Sequence, residues 1–165
     1  LTDISVRRNK STVVSLSLII TALAAALALV SLGGGAYEYL VVDPFWPQRP
    51  DIVHPARGGI LRRRFWIPAH SAFELCLIAS LILCWNLPEV RTPLLAALAG
   101  HATMRLWSAF DFIPKALAFE RTDPADVDVN AARRWTRRSL GRLPLDLATC
   151  SAMLTALVLL ARHAQ

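Results

Sequence analysis

Four long apolar stretches, residues 12–42, 68–86, 92–113 and 143–160, dominate this chain and limit what it can become. Each is near the ~20 residues needed to cross the hydrocarbon of a bilayer. Lipid offers no water to unpaired backbone groups, so stretches of this kind have to be helices. The sequence therefore predicts an all-α integral membrane four-helix bundle, a single transmembrane domain over residues 1–165 with two long loops on one face. Composition points the same way: 55% of the residues are hydrophobic, above the usual share for a soluble domain of this size.

The first stretch has features of a secretion signal, because Arg7, Arg8 and Lys10 precede it and Gly33, Gly34, Gly35 and Ala36 supply small residues. Its apolar run exceeds the ~7–15 residues of a signal core, and three more spans follow it, so a retained helix is expected. Cys76, Cys84 and Cys150 all fall within spans and show no metal or redox spacing. They read as inert buried thiols.

The formal net charge of +6 is concentrated in two connections. Residues 43–67 contain Arg49, Arg57, Arg62, Arg63 and Arg64, and residues 114–142 contain Lys115 and six arginines from Arg121 to Arg142. A basic balance placed in this way argues against nucleic acid as a partner and for membrane lipids. The positive-inside tendency puts both long loops in the cytoplasm and both termini outside, with the amino-terminal basic cluster pulling the other way.

Prolines punctuate the spans. Pro68, Pro93 and Pro144 sit where first helical turns are expected, and Pro44, Pro88 and Pro114 follow the expected ends of the first three. Pro44, Pro47, Pro50 and Pro55, followed by Gly58 and Gly59, make the first loop an extended strap with a turn. Phe45 and Trp46 at its start, and Phe65 and Trp66 at its end, read as an aromatic belt at the interface. In the second loop a short helix over 131–140, capped by Asn130, presents Arg133, Arg134, Arg137 and Arg138 to anionic headgroups, with Trp135 and Leu140 free for lipid.

Seven ionisable side chains, Glu38, His70, Glu74, His101, Arg105, Asp111 and Asp146, lie in or at the ends of the spans. Charge in hydrocarbon is costly, so such residues mark a candidate site. At ~1.5 Å rise per residue, His70 and Asp111 come out about 3 Å from the loop face, Glu74 about 9 Å, Arg105 about 12 Å and His101 about 18 Å. The result is a polar funnel open toward the long loops. His70 and Glu74 are spaced i,i+4, and His101, Arg105 and Ser108 form one stripe, which makes Arg105 the natural counter-ion of Glu74, with Glu38 as a second candidate. A purely structural salt bridge is the bland reading of that pair.

Two chemistries suit the funnel. Glu38, His70, Glu74 and Asp111 offer the O and N ligands of a transition-metal site, although the Glu-x-x-His pairs of di-iron bundles are absent. Without metal, His101 or Glu74 would remove a proton from a hydrophobic substrate while Arg105 stabilises the oxyanion.

Three segments together resemble a known family: Gly33-Gly34-Gly35-Ala36-Tyr37-Glu38-Tyr39-Leu40-Val41-Val42-Asp43-Pro44 closing the first helix, Phe65-Trp66-Ile67-Pro68-Ala69-His70 opening the second, and Asp111-Phe112-Ile113-Pro114 closing the third. Over roughly residues 30–160 the order resembles the small four-helix membrane proteins of the anthrone oxygenase-like family. The resemblance implies cofactor-independent oxidation of polyketide anthrones to anthraquinones.

The expected function is accordingly that of a membrane-embedded oxidoreductase, an oxygenase acting on a lipophilic aromatic or polyketide-like substrate. His101 or Glu74 would be the base, Arg105 would hold the charge, and Glu38 and His70 would orient it. No cofactor is required in this reading. The alternatives are a non-enzymatic accessory subunit of a larger membrane complex, with the charged stripe as interhelical glue, and a metal-dependent enzyme using the same cluster. Small-residue helix faces would also serve a homo-oligomer.

Overall fold

A computed structural model describes the backbone of residues 2–163 and the side chains of residues 14–163. The side chains of Arg7, Arg8 and Lys10, on which the reading of the amino terminus turned, lie outside the described residues. Among the described residues the regular secondary structure is all helical, with no strand. Four helices are long: α1 (Thr2–Tyr37), α2 (Arg63–Leu83), α3 (Pro88–Trp107) and α6 (Leu143–His163). Between α3 and α6 lie α4 (Ile113–Arg121) and α5 (Val129–Ser139).

Three helical runs are long and apolar enough to cross a membrane: Val14–Val42, Arg63–Leu83 and the Val129–His163 run that joins α5 to α6. The third long helix, α3, carries Glu89, Arg91, His101 and Arg105 and is not among them. It packs along α6, and α1 packs along both α2 and α6, whereas α2 and α3 meet only sparingly. The apolar core between the long helices contains Ala24, Ala28, Phe73, Leu77, Leu94, Met153 and Leu160. Outward-facing Leu75, Ile82, Leu106 and Phe110 are exposed.

Helix boundaries differ from the proline punctuation. The second span starts at Arg63, so Pro68 lies inside α2, and α3 opens on Pro88, so Pro93 lies inside it. The first turn of α2 closes through Phe65 and Trp66, whose amides donate to the Arg62 carbonyl, before proline is reached. As the sixth residue of its helix each proline forgoes its own bond to the carbonyl four residues back, that of Arg64 in α2 and of Glu89 in α3, and the helix continues past it.

The third span does not stop before Pro114. It passes through a π turn, Ser108–Phe112, straight into α4. A second π turn, Glu38–Val42, extends α1, and the Asp43 amide donates to the Glu38 carbonyl at 2.8 Å. Such widened turns re-aim side chains and recur at functional sites. Here they carry Glu38 and Ser108.

The two long loops are not free straps. With the π turns they build a second core from Val42, Trp46, Val53, Phe112, Val127, Ala132 and Trp135. The first loop folds into short turns over Pro50–Val53 and Pro55–Arg57, and reverses at Gly58, whose φ of 79° favours a residue without Cβ. Trp46 is 1% exposed and Trp135 6%, so neither serves as the lipid anchor the sequence suggested. Their large apolar surfaces found partners in each other, with ring centroids 5.7 Å apart edge to face, and in Phe112 and Phe119. The α5 helix begins at Asp128, whose carboxylate accepts from the amides of Asn130 and Ala131, rather than at Asn130.

Close approach of the long helices depends on Gly34. A Cβ there would come within 2.7 Å of Phe65 Cζ, while one at Gly33 would meet nothing within 4 Å.

Candidate functional site

The gap left where α2 and α3 diverge is a cavity of about 360 Å³. Its wall draws on both π turns, the start of α2, α3, α4 and the α5–α6 junction, and includes Glu38, Arg62, Trp66, His70, Arg105 and Arg142. A smaller recess of about 30 Å³ shares Glu38, Trp66, His70 and Arg142 and reaches Asp146 and Asp43.

Of the residues singled out in the sequence, Glu38, His70 and Arg105 stand together on the cavity wall. Glu74 and His101 are not on it. They form a pair behind it, with His101 Nε2 3.1 Å from Glu74 Oε1, and Arg105 Nε donates to the same oxygen at 3.2 Å. Asp146 reaches only the smaller recess. Asp111 turns away and pairs with Lys115 and with Arg138, the latter at 2.6 Å.

The sequence depths separated His70 from His101 by about 15 Å, yet their ring centroids are 5.6 Å apart. Part of the difference has one cause: because α2 begins five residues before Pro68, His70 sits more than a turn deeper than its distance from that proline implies. Continuation of the third helical run to Arg121 acts the other way, since it adds helix between His101 and the loop face.

His70 is held by its neighbours. The Trp66 indole is stacked on it at 5.1 Å with planes 18° apart, and Trp66 Nε1 donates to Glu38 Oε1 at 2.9 Å. His101 packs edge to face on Phe73 at 4.8 Å. His70 is only 7% exposed, and its Nδ1 has no hydrogen-bond partner. A buried polar atom left in this state costs on the order of 1–3 kcal/mol.

Two arginines complete the wall, and sequence reasoning assigned both to the basic loops. Arg62 is the residue before α2, its side chain only 11% exposed, and its guanidinium lies 5.4 Å from both the Trp46 and Trp135 rings. It faces Glu38 at 3.6 Å and Asp43 at 3.8 Å. Arg142, immediately before α6, lies 4.6 Å from the Phe112 ring. Burial pushes the Asp43 carboxyl above the ordinary carboxylate range and the nearby Glu38 adds to this, against Arg62 and hydrogen bonds from Trp46 and Ser139 that favour the ionised form. The available signal for both arginines was position: each directly precedes a helix start, where a long side chain can fold back over the first turn.

Glu38, His70, Glu74 and Asp111 do not converge as a ligand set. Among the described residues no three His, Cys, Asp or Glu side chains are grouped so as to hold a metal ion. Cys76, Cys84 and Cys150 are free thiols.

No protein-family model, curated protein or solved structure matches this chain. These features define a class: a helical protein with three candidate transmembrane helices and a cavity lined by both apolar and charged side chains.

Proposed function

We propose that the chain is a membrane-embedded oxidoreductase whose four long helices pack as a bundle across the bilayer, with the long-loop face cytoplasmic and the cavity receiving a lipophilic aromatic or polyketide-like substrate. The observation that carries this reading is that His70, whose buried Nδ1 has no hydrogen-bond partner, lines the same cavity as Arg105. The exposed Leu75, Ile82 and Phe110 support the lipid setting. Although α3 is the least apolar long helix, its charged groups pair with neighbours: Glu74 with Arg105, and Glu89 with His163.

The chemistry follows from a base and a cation around one space. A substrate with a methylene group activated by a carbonyl or an arene gives its proton to His70 Nδ1, and the enolate oxygen lies against Arg105. Dioxygen, the oxidant, adds to the carbanion, and the resulting hydroperoxide loses water to leave a ketone. One oxygen atom ends in the product and the other in water, so no further reductant is needed. In this scheme His101 and Glu74 are positioning residues, since they hold Arg105 and the His70 surroundings from behind the wall.

The test is oxygen uptake on an anthrone by the protein in lipid nanodiscs. His70→Ala and Arg105→Gln should each lower turnover by ~100-fold, the scale of a lost general base or oxyanion partner. Unchanged turnover in His70→Ala would remove this mechanism. A stable wild-type protein with no turnover at all would favour the accessory-subunit reading.

A further inference from the structure

We infer that the cavity selects ligands bearing an anionic group on an apolar body, such as a carboxylate or an ionised acidic phenol, and that Arg142 and Arg63 recognise that charge. This deepens the proposed function by naming the substrate class, and it rests on the cavity being the binding site. Four arginines, Arg62, Arg63, Arg105 and Arg142, line the cavity against two glutamates, Glu38 and Glu120. Two of the four have a carboxylate at ion-pair distance: Arg105 bonds to Glu74, and Arg62 faces Glu38 and Asp43, although its buried Nε and Nη2 make no hydrogen bond.

Arg142 and Arg63 are not committed in this way. The carboxylates that act on Arg142, those of Glu38, Asp146 and Asp43, stand beyond ion-pair distance, and its one hydrogen bond runs from Nε to the Ser139 carbonyl at 3.4 Å. Its terminal nitrogens make no hydrogen bond or ion pair among the described residues, although the guanidinium lies over the Phe112 ring. A guanidinium left with free donors in a recess is suited to a planar anion, which it can grip through two parallel bonds.

The wall is also polarised. Toward the outside are Ile67, 63% exposed, and Ile113, 43% exposed, while deeper lie His70 and Ser108, 7% and 3% exposed. A mouth of Ile67 and Ile113 with Arg63 at its rim, over an interior that holds His70, Ser108 and Arg142, fits a ligand that arrives from lipid and places its charged group inward. A neutral lipophile would leave the Arg142 donors unpaired, whereas an anion would satisfy them.

The probe pair is 12-bromododecanoate and 12-bromododecanol, titrated against the protein in nanodiscs of neutral phospholipid, with bromine quenching of tryptophan fluorescence as the readout; Trp66 and Trp135 both line the cavity. The expected result is half-quenching by the carboxylate at ~10-fold lower concentration than by the alcohol, a preference reduced several-fold in Arg63→Gln and abolished in Arg142→Gln. Arg63 is exposed and makes no ion pair among the described residues, so the Arg63→Gln variant keeps the test open if Arg142→Gln fails to fold. Equal binding of acid and alcohol, or a preference that survives both substitutions, overturns the inference. Oxygen uptake is scored separately. Acid-selective binding without turnover retains the substrate class and sinks the reaction, while turnover of a neutral anthrone without acid preference does the reverse.

Discussion

Trp66 lies flat on His70, ring planes 18° apart and centroids separated by 5.1 Å, and its indole nitrogen donates to Glu38 at 2.9 Å. One side chain from the first turn of α2 thus fixes a ring four residues further on and ties it to the π turn that follows α1. That turn is what carries Glu38 to the cavity, because the wider winding of Glu38–Val42 rotates its side chains away from the α-helical register.

Replacing Trp66 by phenylalanine keeps a stacked ring and removes the bond to Glu38. We expect a loss of about 0.5–1.5 kcal/mol in stability, the usual worth of one hydrogen bond. In the proposed chemistry turnover should fall by ~10-fold, because the ring it steadies is free to turn. Trp66→Ala, which also strips the stack, should fall further in both. Thermal unfolding in detergent and oxygen uptake separate the two effects, and equal activity for wild type and both variants would show that His70 needs no such support.

Glu74 is the shared acceptor of His101 and Arg105, and at 41% side-chain exposure it is only half withdrawn from its surroundings. Couplings between polar groups on membrane helices average about 0.6 kcal/mol and reach about 1.7. A double-mutant cycle of Glu74→Gln with Arg105→Gln should therefore give a coupling of about 0.5–1.5 kcal/mol. A coupling indistinguishable from zero would mean that the two groups prefer other partners in the membrane.

Neighbouring glycines of α1 make a matched pair of probes. A Cβ at Gly34 would press on Phe65 and Trp66 where α2 begins, and Phe65 is the part that would have to yield. Gly34→Val should cost about 1–3 kcal/mol as an overpacked contact. At Gly33 nothing stands within 4 Å, so Gly33→Ala should be neutral or stabilising by about 0.5–1 kcal/mol through the gain in helix propensity. Similar losses at both positions in a chemical-denaturation series would contradict this packing of α1 on α2.

Periodicity and length made the long helices legible, since apolar runs of spanning length leave the backbone little choice. The facing of Arg105 toward Glu74 could also be read from helical spacing alone. Depth could not. Prolines 68, 93 and 114 each lie within a continuous helical run, and Pro68 read as the start of a helix places His70 too near the loop face and so apart from His101, whereas their rings lie 5.6 Å from each other. The loop core was hidden for a different reason. An aromatic residue beside arginines near a span end has the same local signature whether it meets lipid or another aromatic. Only the tertiary pairing of Trp46 with Trp135, and of Arg62 with both, distinguishes them. Arg142 was counted toward the charge of a loop because sequence alone does not tell that the loop folds back over the cavity.

Asp43 provides a pH test of that loop core. It lies at the end of the first π turn, 7% exposed, and is faced by Arg62, Glu38, Trp46 and Ser139. Burial raises its pKa above the ordinary value despite the opposing pull of Arg62 and the two hydrogen bonds. The folded protein therefore holds this proton more tightly than the unfolded chain does. Stability contributed by the protonated form is complete below the unfolded value of about 4 and is lost as pH rises from there through the raised folded value. Asp43→Asn keeps a side-chain carbonyl able to accept from Trp46 Nε1 and removes the ionisation. Its unfolding free energy should be flatter with pH across that window than that of the wild type, with the variant the more stable of the two at its upper end. A wild-type profile that instead rises with pH through the same window, and a rise that disappears in Asp43→Asn, would mean that Arg62 outweighs burial at this carboxylate.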